Sequence, residues 1–290
     1  MRVLVLGAGG QLGRELIGMR SDRQQIIGLD QAACDITEPG DVRRALEDQR
    51  PDAVINCAAW TQVDAAEAQP EAAFRVNADG PRVLAVACRD AGVRLLQIST
   101  DYVFDGTATT PIDESAPTNP LGVYGQSKLA GEQAIRELCP DHQIVRTSWL
   151  YGQDGPNFVL TMLRLGAERD ELRVVADQRG APTWTGHLAP ALLRLLESPS
   201  PGTYHLSNAG ETTWHGFAAA IFAAAGVPAH LVAISTADYD ARAPRPAYSL
   251  LDNRAWRLLG EAPLPAWQAG LTGYLRERDA LRDGAEAATS

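Results

Sequence analysis

The sequence predicts an α/β fold built on a doubly wound parallel sheet, and three observations support that prediction. Short apolar runs such as residues 2–6 (RVLVL) alternate with longer segments whose apolar residues recur every three or four positions. The first run leads directly into the glycine-rich stretch GAGGQLG. With 290 residues, the chain can form one large domain with a smaller appendage. Strands separated by helices of this length form right-handed crossovers that cover both sheet faces.

The first half of the chain supplies most of these alternating segments. We predict strands at residues 2–6, 25–30, 52–59, 93–100 and 142–152. Helices are predicted between them at residues 11–19, 38–48, 70–92 and 127–138. The third of these helices is expected to end at Gly92, because glycine readily takes the left-handed conformation at a helix C-terminus.

The pattern loosens after residue 150. We predict helices at residues 157–168, 185–198 and 213–226, and short strands at residues 172–177 and 202–207. Proline and glycine are frequent from 226 to 270, which is typical of a loop-rich segment. We expect residues 1–150 to form the parallel-sheet domain and residues 151–290 mainly a smaller lobe. Segments around 170–205 are expected to return to the sheet.

Composition narrows the classes of partner. The net charge is −10 and the isoelectric point is about 5.0, which argues against nucleic acid and anionic membranes as partners. No stretch approaches the roughly 20 apolar residues of a membrane span. The four cysteines are widely spaced and lack metal-ligand spacing, which is typical of free thiols in a reduced compartment. We therefore expect a cytoplasmic protein, either a monomer or a homodimer.

The glycine-rich stretch has the pattern of a dinucleotide-binding turn. Gly7 would allow the tight turn, Gly10 would let the backbone approach a pyrophosphate, and Gly13 would let helix and sheet pack closely. The amides of Gly10, Gln11 and Leu12 would then face the phosphates at the helix N-terminus. The first domain is therefore predicted to be a Rossmann-type dinucleotide-binding domain, and the lobe to bind substrate.

Acidic and small residues extend this cofactor prediction. Asp30 ends the second strand, where a carboxylate accepts hydrogen bonds from the adenosine ribose. Its charge would repel a 2′-phosphate and favour NADH, although Arg14 could offset that repulsion. Asp35 either reaches the adenine or caps a helix. The small residues Ala58 and Ala59, followed by Thr61, would let the backbone lie against the cofactor.

A tyrosine and a lysine carry the chemical prediction. Tyr124 and Lys128 are four residues apart in YGQSK, so a helix places them on the same face. A nearby ammonium would lower the high pKa of the phenol, and the same ammonium could hold the nicotinamide ribose. Tyr124 could then protonate an oxygen as hydride reaches the adjacent carbon. The Thr100 hydroxyl, at the end of the fourth strand, would bond the reacting oxygen and orient Tyr124.

These motifs resemble those of a known family. The glycine turn, STD and YGQSK resemble the extended short-chain dehydrogenase/reductases. More narrowly, STDYVFDG, YGQSKLAGE, RTSWLYG and DQRGAPTW are similar to segments of the dTDP-4-dehydrorhamnose reductases. The resemblance implies that hydride passes from NADH or NADPH to C4 of dTDP-4-dehydro-L-rhamnose, with relaxed cofactor choice.

The resemblance also assigns residues. It implies a catalytic set of Thr100, Tyr124 and Lys128, and a sugar-nucleotide pocket that includes Asp101, Tyr102 and Trp149. It implies cofactor contacts from Gly10, Gln11, Leu12, Asp30, Asp35, Ile36, Ala58, Ala59 and Thr61. Some members are thought to bridge subunits through magnesium with glutamates. Glu15 is expected to be solvated, and the sequence does not support a metal site.

Several residues keep alternative interpretations at this stage. Tyr102 stands where related dehydratases have glutamate, and a phenol lacks carboxylate basicity at neutral pH, which favours reduction over elimination. Trp149, expected to end the fifth strand, is either a sugar platform or a core residue. Arg245 either pairs with the diphosphate or forms an ion pair with an acidic residue.

Two functional alternatives also stay open. One is a reductase of another 4-keto deoxysugar nucleotide, because the loops that contact the sugar hydroxyls cannot be interpreted from sequence. The other is a non-catalytic regulatory subunit that resembles that of methionine adenosyltransferase. The intact set of Thr100, Tyr124 and Lys128 argues against the second alternative.

Overall fold

The structure is a computed structural model that describes residues 1–19 and 21–289. The strands, in chain order, are β1 (Arg2–Leu6), β2 (Gln25–Leu29), β3 (Ala53–Asn56), β4 (Arg94–Thr100), β5 (His142–Thr147), β6 (Leu150–Tyr151), β7 (Glu171–Val175), β8 (Arg179–Gly180), β9 (Thr183–Trp184), β10 (Gly202–His205), β11 (Thr212–Thr213) and β12 (His230–Ile234). The α-helices are α1 (Gln11–Gly18), α2 (Pro39–Gln49), α3 (Val63–Ala68), α4 (Pro70–Phe74), α5 (Gly80–Ala91), α6 (Val123–Leu138), α7 (Phe158–Glu168), α8 (Thr185–Leu196), α9 (Trp214–Ala225), α10 (Arg254–Leu258) and α11 (Trp267–Thr289).

A six-stranded parallel sheet organises the molecule, with strand order β10-β5-β4-β3-β1-β2. The order reverses between β1 and β3, because the chain adds β2 on one side of β1 and then β3, β4 and β5 on the other side. In such sheets, ligands bind beyond the carboxyl ends of the strands at this reversal. The loops after β1, β3, β4 and β5 therefore meet at one edge of the sheet.

Both faces of the sheet are covered by helices, as a doubly wound fold requires. Strand β1 shows the alternation: Val3 and Val5 pack in one apolar cluster with α1 and α8, whereas Leu4 and Leu6 pack in another with α2, α5 and α6. All four side chains are almost completely buried. The predicted α/β fold with a doubly wound parallel sheet is thus confirmed.

A smaller lobe has its own apolar cluster, which includes residues of α7, α9 and α11. Helix α8 packs against α1, and β10 pairs with β5, so both lie with the large sheet. Strand β7 falls among the segments that were expected to return to the sheet, but it pairs with β12 in a separate two-stranded sheet. That expectation is corrected for β7. The division at residue 150 stays a prediction.

Two predicted elements are interrupted in the structure. The helix predicted over residues 70–92 contains a π-helical turn at Arg75–Asp79 between α4 and α5. This turn carries the buried Asn77, whose side chain accepts a bond from the Trp60 amide (2.9 Å) and donates to the Trp60 carbonyl (3.0 Å) and the Ser127 hydroxyl (3.0 Å). In a π-turn the backbone hydrogen bonds span five residues instead of four, so the turn accommodates one additional residue. Gly92 ends α5 in the left-handed conformation, as predicted (φ 66°).

The strand predicted over residues 142–152 ends at Thr147, so Trp149 follows the strand and does not end it. The Trp149 backbone is left-handed (φ 46°), which is uncommon for a bulky residue and incompatible with an extended strand. Among the residues that the structure describes, no helix combines the length and apolar character needed to cross a membrane.

Candidate active site

Two adjoining cavities lie at the carboxyl edge of the sheet. The first, about 790 Å³, is lined by the glycine turn, the end of β2 and the loop after β3, including Gly7, Gly10, Asp30, Asp35, Ile36, Ala58 and Ala59. The second, about 620 Å³, is lined by residues 9–13 and includes Thr61, Thr100, Asp101, Tyr102, Tyr124, Lys128 and Trp149. Both cavities are lined by Gly9, Gly10 and Ala59, so they form one continuous trough.

The glycine turn is packed so tightly that larger residues cannot replace two of its glycines. Gly7 is left-handed (φ 77°), and a Cβ there would lie 2.5 Å from the Ala58 amide nitrogen. A Cβ on Gly13 would collide with the Gly7 carbonyl oxygen. The Gly10 amide donates to the same oxygen at 3.1 Å. The expectation that the Gly10 amide faces a phosphate is therefore corrected, because this amide closes the turn.

The free donors at this helix end are the amides of its first turn. Helix α1 begins at Gln11 with no side-chain cap, so the amides of Gln11, Leu12 and Gly13 have no partner within the helix. Together with the positive end of the helix dipole, they suit an anionic group such as a pyrophosphate. The Gln11 side chain donates to the Pro156 carbonyl at 2.9 Å, and its own buried oxygen has no protein partner.

The end of the first cavity presents two carboxylates. Asp30 is exposed and accepts a bond from the Ala33 amide at 3.0 Å. Asp35 accepts bonds from the amide and hydroxyl of Thr37 (2.9 and 2.8 Å), and mainly the amide bond lowers the Asp35 pKa. The Arg14 guanidinium donates to the Gly9 carbonyl at 3.0 Å. The two carboxylates fit ribose hydroxyls and an adenine amine better than they fit a 2′-phosphate.

Tyr124 and Lys128 lie on one face of α6, as their spacing predicts, and both line the second cavity. The Lys128 ammonium donates to the Ile98 carbonyl at 2.7 Å, which leaves two further N–H groups. Burial lowers the Lys128 pKa to about 8, against the opposing charge of Glu132. A ribose with two hydroxyls suits these remaining donors.

The expected lowering of the Tyr124 pKa by Lys128 is corrected. Burial raises the Tyr124 pKa to about 12, and the group that opposes this shift is the Thr100 hydroxyl, through a hydrogen bond. Lys128 directs its ammonium to the end of β4 instead. Tyr124 is therefore a neutral phenol at pH 7 and holds a proton that it can donate.

Two short-range hydrogen bonds fix the Thr100 hydroxyl at the end of β4. The Thr100 hydroxyl donates to the Asp101 carboxylate at 3.0 Å and accepts from the Tyr102 amide at 3.2 Å. The Tyr102 and Tyr124 rings meet edge to face with centroids 5.4 Å apart. The second carboxylate oxygen of Asp101 is buried without a protein partner. It lies in the wall of the second cavity, where a substrate hydroxyl could donate to it.

The ionisation of Asp101 gives a prediction for stability against pH. Burial raises the Asp101 pKa from 3.8 to about 6, against the opposing effect of the neighbouring Ser249 and Thr100 hydroxyls. Because the folded protein holds this proton more tightly than the unfolded chain, the contribution is present below the unfolded pKa. It is lost as the pH rises through the folded value. We expect Asp101→Asn, which stays neutral, to gain stability relative to wild type across that interval.

Urea unfolding of both proteins at several pH values checks this. Asp105→Asn is the matched control: the Thr107 amide bond lowers the pKa of the half-buried Asp105, so its difference from wild type should have the opposite sign and appear at lower pH. A gap between Asp101→Asn and wild type that is the same at every pH would contradict the assignment.

Trp149 lines the second cavity beside a residue that the sequence did not indicate. The Trp149 indole stacks on that of Trp214, with ring centroids 3.7 Å apart and planes 9° apart, and Trp214 lines the same cavity. Trp214 lies in the helical pattern of residues 213–226, where it could not be told from a core residue. No local signal in the sequence marks it.

Arg245 lies outside both cavities, and Glu15 is less exposed than expected. Arg245 does not line either cavity; its guanidinium pairs with Asp64 at 2.8 Å, which is the ion-pair alternative. Glu15, expected to be solvated, is half-buried and accepts a bond from the Thr185 hydroxyl at 2.9 Å. Within the described part of the chain, no cluster of three or more histidine, cysteine, aspartate or glutamate residues is placed to hold a metal ion.

Comparison with known proteins agrees with this geometry. The family model described as the RmlD substrate binding domain matches residues 1–279. A dTDP-4-dehydrorhamnose reductase of Streptomyces griseus is 48% identical over 279 residues, which cover 93% of this chain and 92% of the relative. A dTDP-4-keto-6-deoxy-D-glucose reductase of Streptomyces niveus is 43% identical over 274 residues, or 93% of this chain and 95% of the relative.

A solved structure shows the same fold. The crystal structure of a dTDP-4-dehydrorhamnose reductase from Bacillus anthracis in complex with NADP superposes with a TM-score of 0.93 at 42% identity. The match covers 95% of this chain and 99% of that one. The resemblance seen in the sequence motifs is thus confirmed, and the chain belongs to the RmlD substrate-binding-domain family.

Proposed function

We propose that this protein is an NAD(P)H-dependent reductase that converts dTDP-4-dehydro-L-rhamnose to dTDP-L-rhamnose. The observation that carries the proposal is the meeting of Thr100, Tyr124 and Lys128 in one cavity that continues into the glycine turn. Relatives in Streptomyces griseus, Burkholderia thailandensis and Mycobacterium tuberculosis that carry the name dTDP-4-dehydrorhamnose reductase, 41–48% identical over more than 90% of this chain, support the same activity.

The residues divide the chemistry as follows. NAD(P)H, when bound, supplies the hydride that reduces the C4 carbonyl. Tyr124 is neutral at pH 7 and donates its proton to the C4 oxygen as negative charge develops there. Thr100 lines the same cavity as Tyr124, where its hydroxyl would bond the reacting oxygen. Lys128 would hold the nicotinamide ribose with the N–H groups that Ile98 leaves free, and the amides of Gln11 to Gly13 would hold the pyrophosphate.

The pocket favours reduction over elimination. Elimination needs a base in addition to Tyr124. Tyr102 stands at the position where related dehydratases have glutamate. Burial and the neighbouring Asp101 raise the Tyr102 pKa further, so its phenol stays protonated. A protonated phenol donates a hydrogen bond to a substrate oxygen but does not remove a proton from carbon.

A second candidate is the reductase of another 4-keto deoxysugar nucleotide. The relative in Streptomyces niveus, named dTDP-4-keto-6-deoxy-D-glucose reductase, supports it at 43% identity. Purified protein should be mixed with each 4-keto sugar nucleotide, and oxidation of NADPH and NADH followed by absorbance. Rapid oxidation only with dTDP-4-dehydro-L-rhamnose supports the first proposal, and oxidation only with the other substrate supports the second. Cofactor binding without oxidation of either would contradict both.

Cofactor choice is predicted to depend on Asp30. Its exposed carboxylate lines the first cavity and would repel the 2′-phosphate of NADPH. We expect Asp30→Ser to raise kcat/KM for NADPH relative to NADH about 3- to 10-fold, with the gain decreasing at high salt. Steady-state kinetics with both cofactors measure this ratio. Asp48→Ser, which removes an equal exposed charge from α2, should leave the ratio unchanged. If the ratio of kcat/KM for NADPH to that for NADH were the same in Asp30→Ser and Asp48→Ser, the role of Asp30 would be contradicted.

The four cysteines are typical of a protein in a reducing compartment. All four are free thiols, and Cys34, Cys88 and Cys139 are buried. Burial raises the pKa of each of these three thiols, which makes them poor nucleophiles. We therefore propose that the protein is cytoplasmic, because thiols stay reduced in that compartment.

We also propose that residues 1–150 form the cofactor-binding domain and that residues 151–290 form mainly the substrate lobe.

A further inference from the structure

The stacked indoles of Trp149 and Trp214 form a built feature of the second cavity. Their ring centroids are 3.7 Å apart and their planes differ by 9°. Trp149 adopts a left-handed backbone (φ 46°), which costs free energy and persists only where the surroundings hold the residue. Trp214 is the first residue of α9, in the lobe, so the stack joins the lobe to the segment that follows β5.

A chain of hydrogen bonds fixes the orientation of Trp214. Its indole N–H donates to the Gln178 side-chain oxygen at 3.1 Å. The Gln178 amide nitrogen donates to the Thr236 hydroxyl at 3.0 Å, and that hydroxyl donates to Asp177 at 2.6 Å. Because indole is only a donor and carboxylate only an acceptor, each bond in the chain has one direction. Gln178 is buried, so its amide orientation is fixed as well.

The segment that contains Gln178 and Gly180 contacts both indoles. A Cβ on Gly180 would lie 2.8 Å from the Trp149 six-membered ring, so only glycine allows the indole its position. Strand β8, which contains Gly180, pairs with β11, and β11 leads directly into Trp214. Trp149 is therefore held between Trp214 and Gly180, and the β8–β11 pair joins these two residues.

We infer that Trp214 is a substrate-positioning residue, which holds the Trp149 indole as the wall that the hexose of the sugar nucleotide contacts. The inference rests on the proposed function for the identity of the ligand. Trp214 lines the cavity of Thr100, Asp101 and Tyr124 but not the cavity of Asp30. Its loss should therefore weaken binding of the sugar more than binding of the cofactor, whose adenosine end would lie in the first cavity.

Calorimetric titration of the NADPH-loaded protein tests this. The probes are dTDP-glucose, which has no keto group to reduce, and dTDP, which lacks the hexose. We expect Trp214→Ala to weaken binding of dTDP-glucose about 2- to 12-fold, from the typical contribution of one aromatic pair, and binding of dTDP less than about twofold. Trp214→Phe, which keeps a ring, and Gln178→Leu, which removes only the acceptor, should give smaller losses in the same direction. Trp256→Phe, in a separate apolar cluster, is the control.

Circular dichroism tests the stack independently of ligand. An exciton couplet from the two indoles should be lost in Trp149→Phe and in Trp214→Phe alike and kept in Trp256→Phe. A couplet that persists in Trp149→Phe or in Trp214→Phe overturns the inference, and so does equal weakening of dTDP and dTDP-glucose, or no weakening, in Trp214→Ala. If that variant does not fold, Trp214→Phe and Gln178→Leu decide by the same criterion. Failure of wild type to oxidise NADPH with the 4-keto sugar would contradict the proposed function alone.

Discussion

Replacement of Tyr124 by phenylalanine is expected to lower kcat about 100- to 10,000-fold, the range that a positioned general acid contributes. The substitution removes only the hydroxyl, so the edge-to-face contact with Tyr102 remains. Cofactor binding should remain close to that of wild type, because Lys128 and the first turn of α1 are unchanged. Oxidation of NADPH under saturating substrate measures kcat, and titration with NADPH measures the cofactor Kd.

Tyr204→Phe is the matched control for this change. Tyr204 is a buried tyrosine of β10 whose hydroxyl donates to the Ser200 carbonyl at 3.0 Å, and it lines neither cavity. Its loss should decrease stability by about 1 kcal/mol and leave kcat unchanged. If Tyr124→Phe retained more than a tenth of the wild-type kcat, another group would have to donate the proton.

Replacement of Arg146 by methionine is expected to lower the free energy of unfolding by about 3–5 kcal/mol, because it leaves a buried carboxylate without its main partner. Arg146 and Glu132 are both almost completely buried and joined by two bonds of 2.9 and 2.7 Å. Burial alone would raise the Glu132 pKa, but bonds and charge from Arg146 outweigh it and hold that pKa below its usual value. Urea denaturation measures the loss.

Two further variants distinguish the stability lost by breaking the buried ion pair from the stability lost by removing any arginine. Arg164→Ala breaks the exposed pair with Glu168, and its effect should stay within about 0.5 kcal/mol. Removing both buried charges, in Arg146→Met with Glu132→Leu, should recover much of the stability, since the only charge left without its partner is the exposed Arg136 guanidinium. A double variant as unstable as the single one would show that packing, not the lone carboxylate, causes the loss.

The sequence was sufficient for features encoded in contiguous residues. The apolar run of β1, the glycine spacing after it and the four-residue step from Tyr124 to Lys128 each determine local geometry without help from distant segments. The alternation of strands and helices then restricts the topology, because parallel strands need crossovers of one hand. The doubly wound sheet and the edge at which the cavities lie follow from these local signals.

What the sequence could not supply depends on contacts between distant segments. Arg245 pairs with Asp64, 181 residues away, which no local pattern reveals. Trp214 meets Trp149 only because the lobe folds back over the end of β5. Helical spacing put Lys128 on the face of Tyr124 but did not show that its ammonium turns to the Ile98 carbonyl, so the predicted change in the Tyr124 pKa was wrong.

The π-helical turn at Arg75–Asp79 changes the phase of the helical stretch that runs from residue 70 to residue 91. One additional residue in a turn rotates everything beyond it by about 100°, so α4 and α5 can bury faces that one regular helix could not bury together. A sequence alignment that treats the stretch as one uninterrupted helix would therefore misassign the inward positions on one side of the turn. Asn77 lies within this turn and bonds the loop that contains Trp60, in the wall of the first cavity, so the turn supports a site to which α5 itself contributes no lining residue.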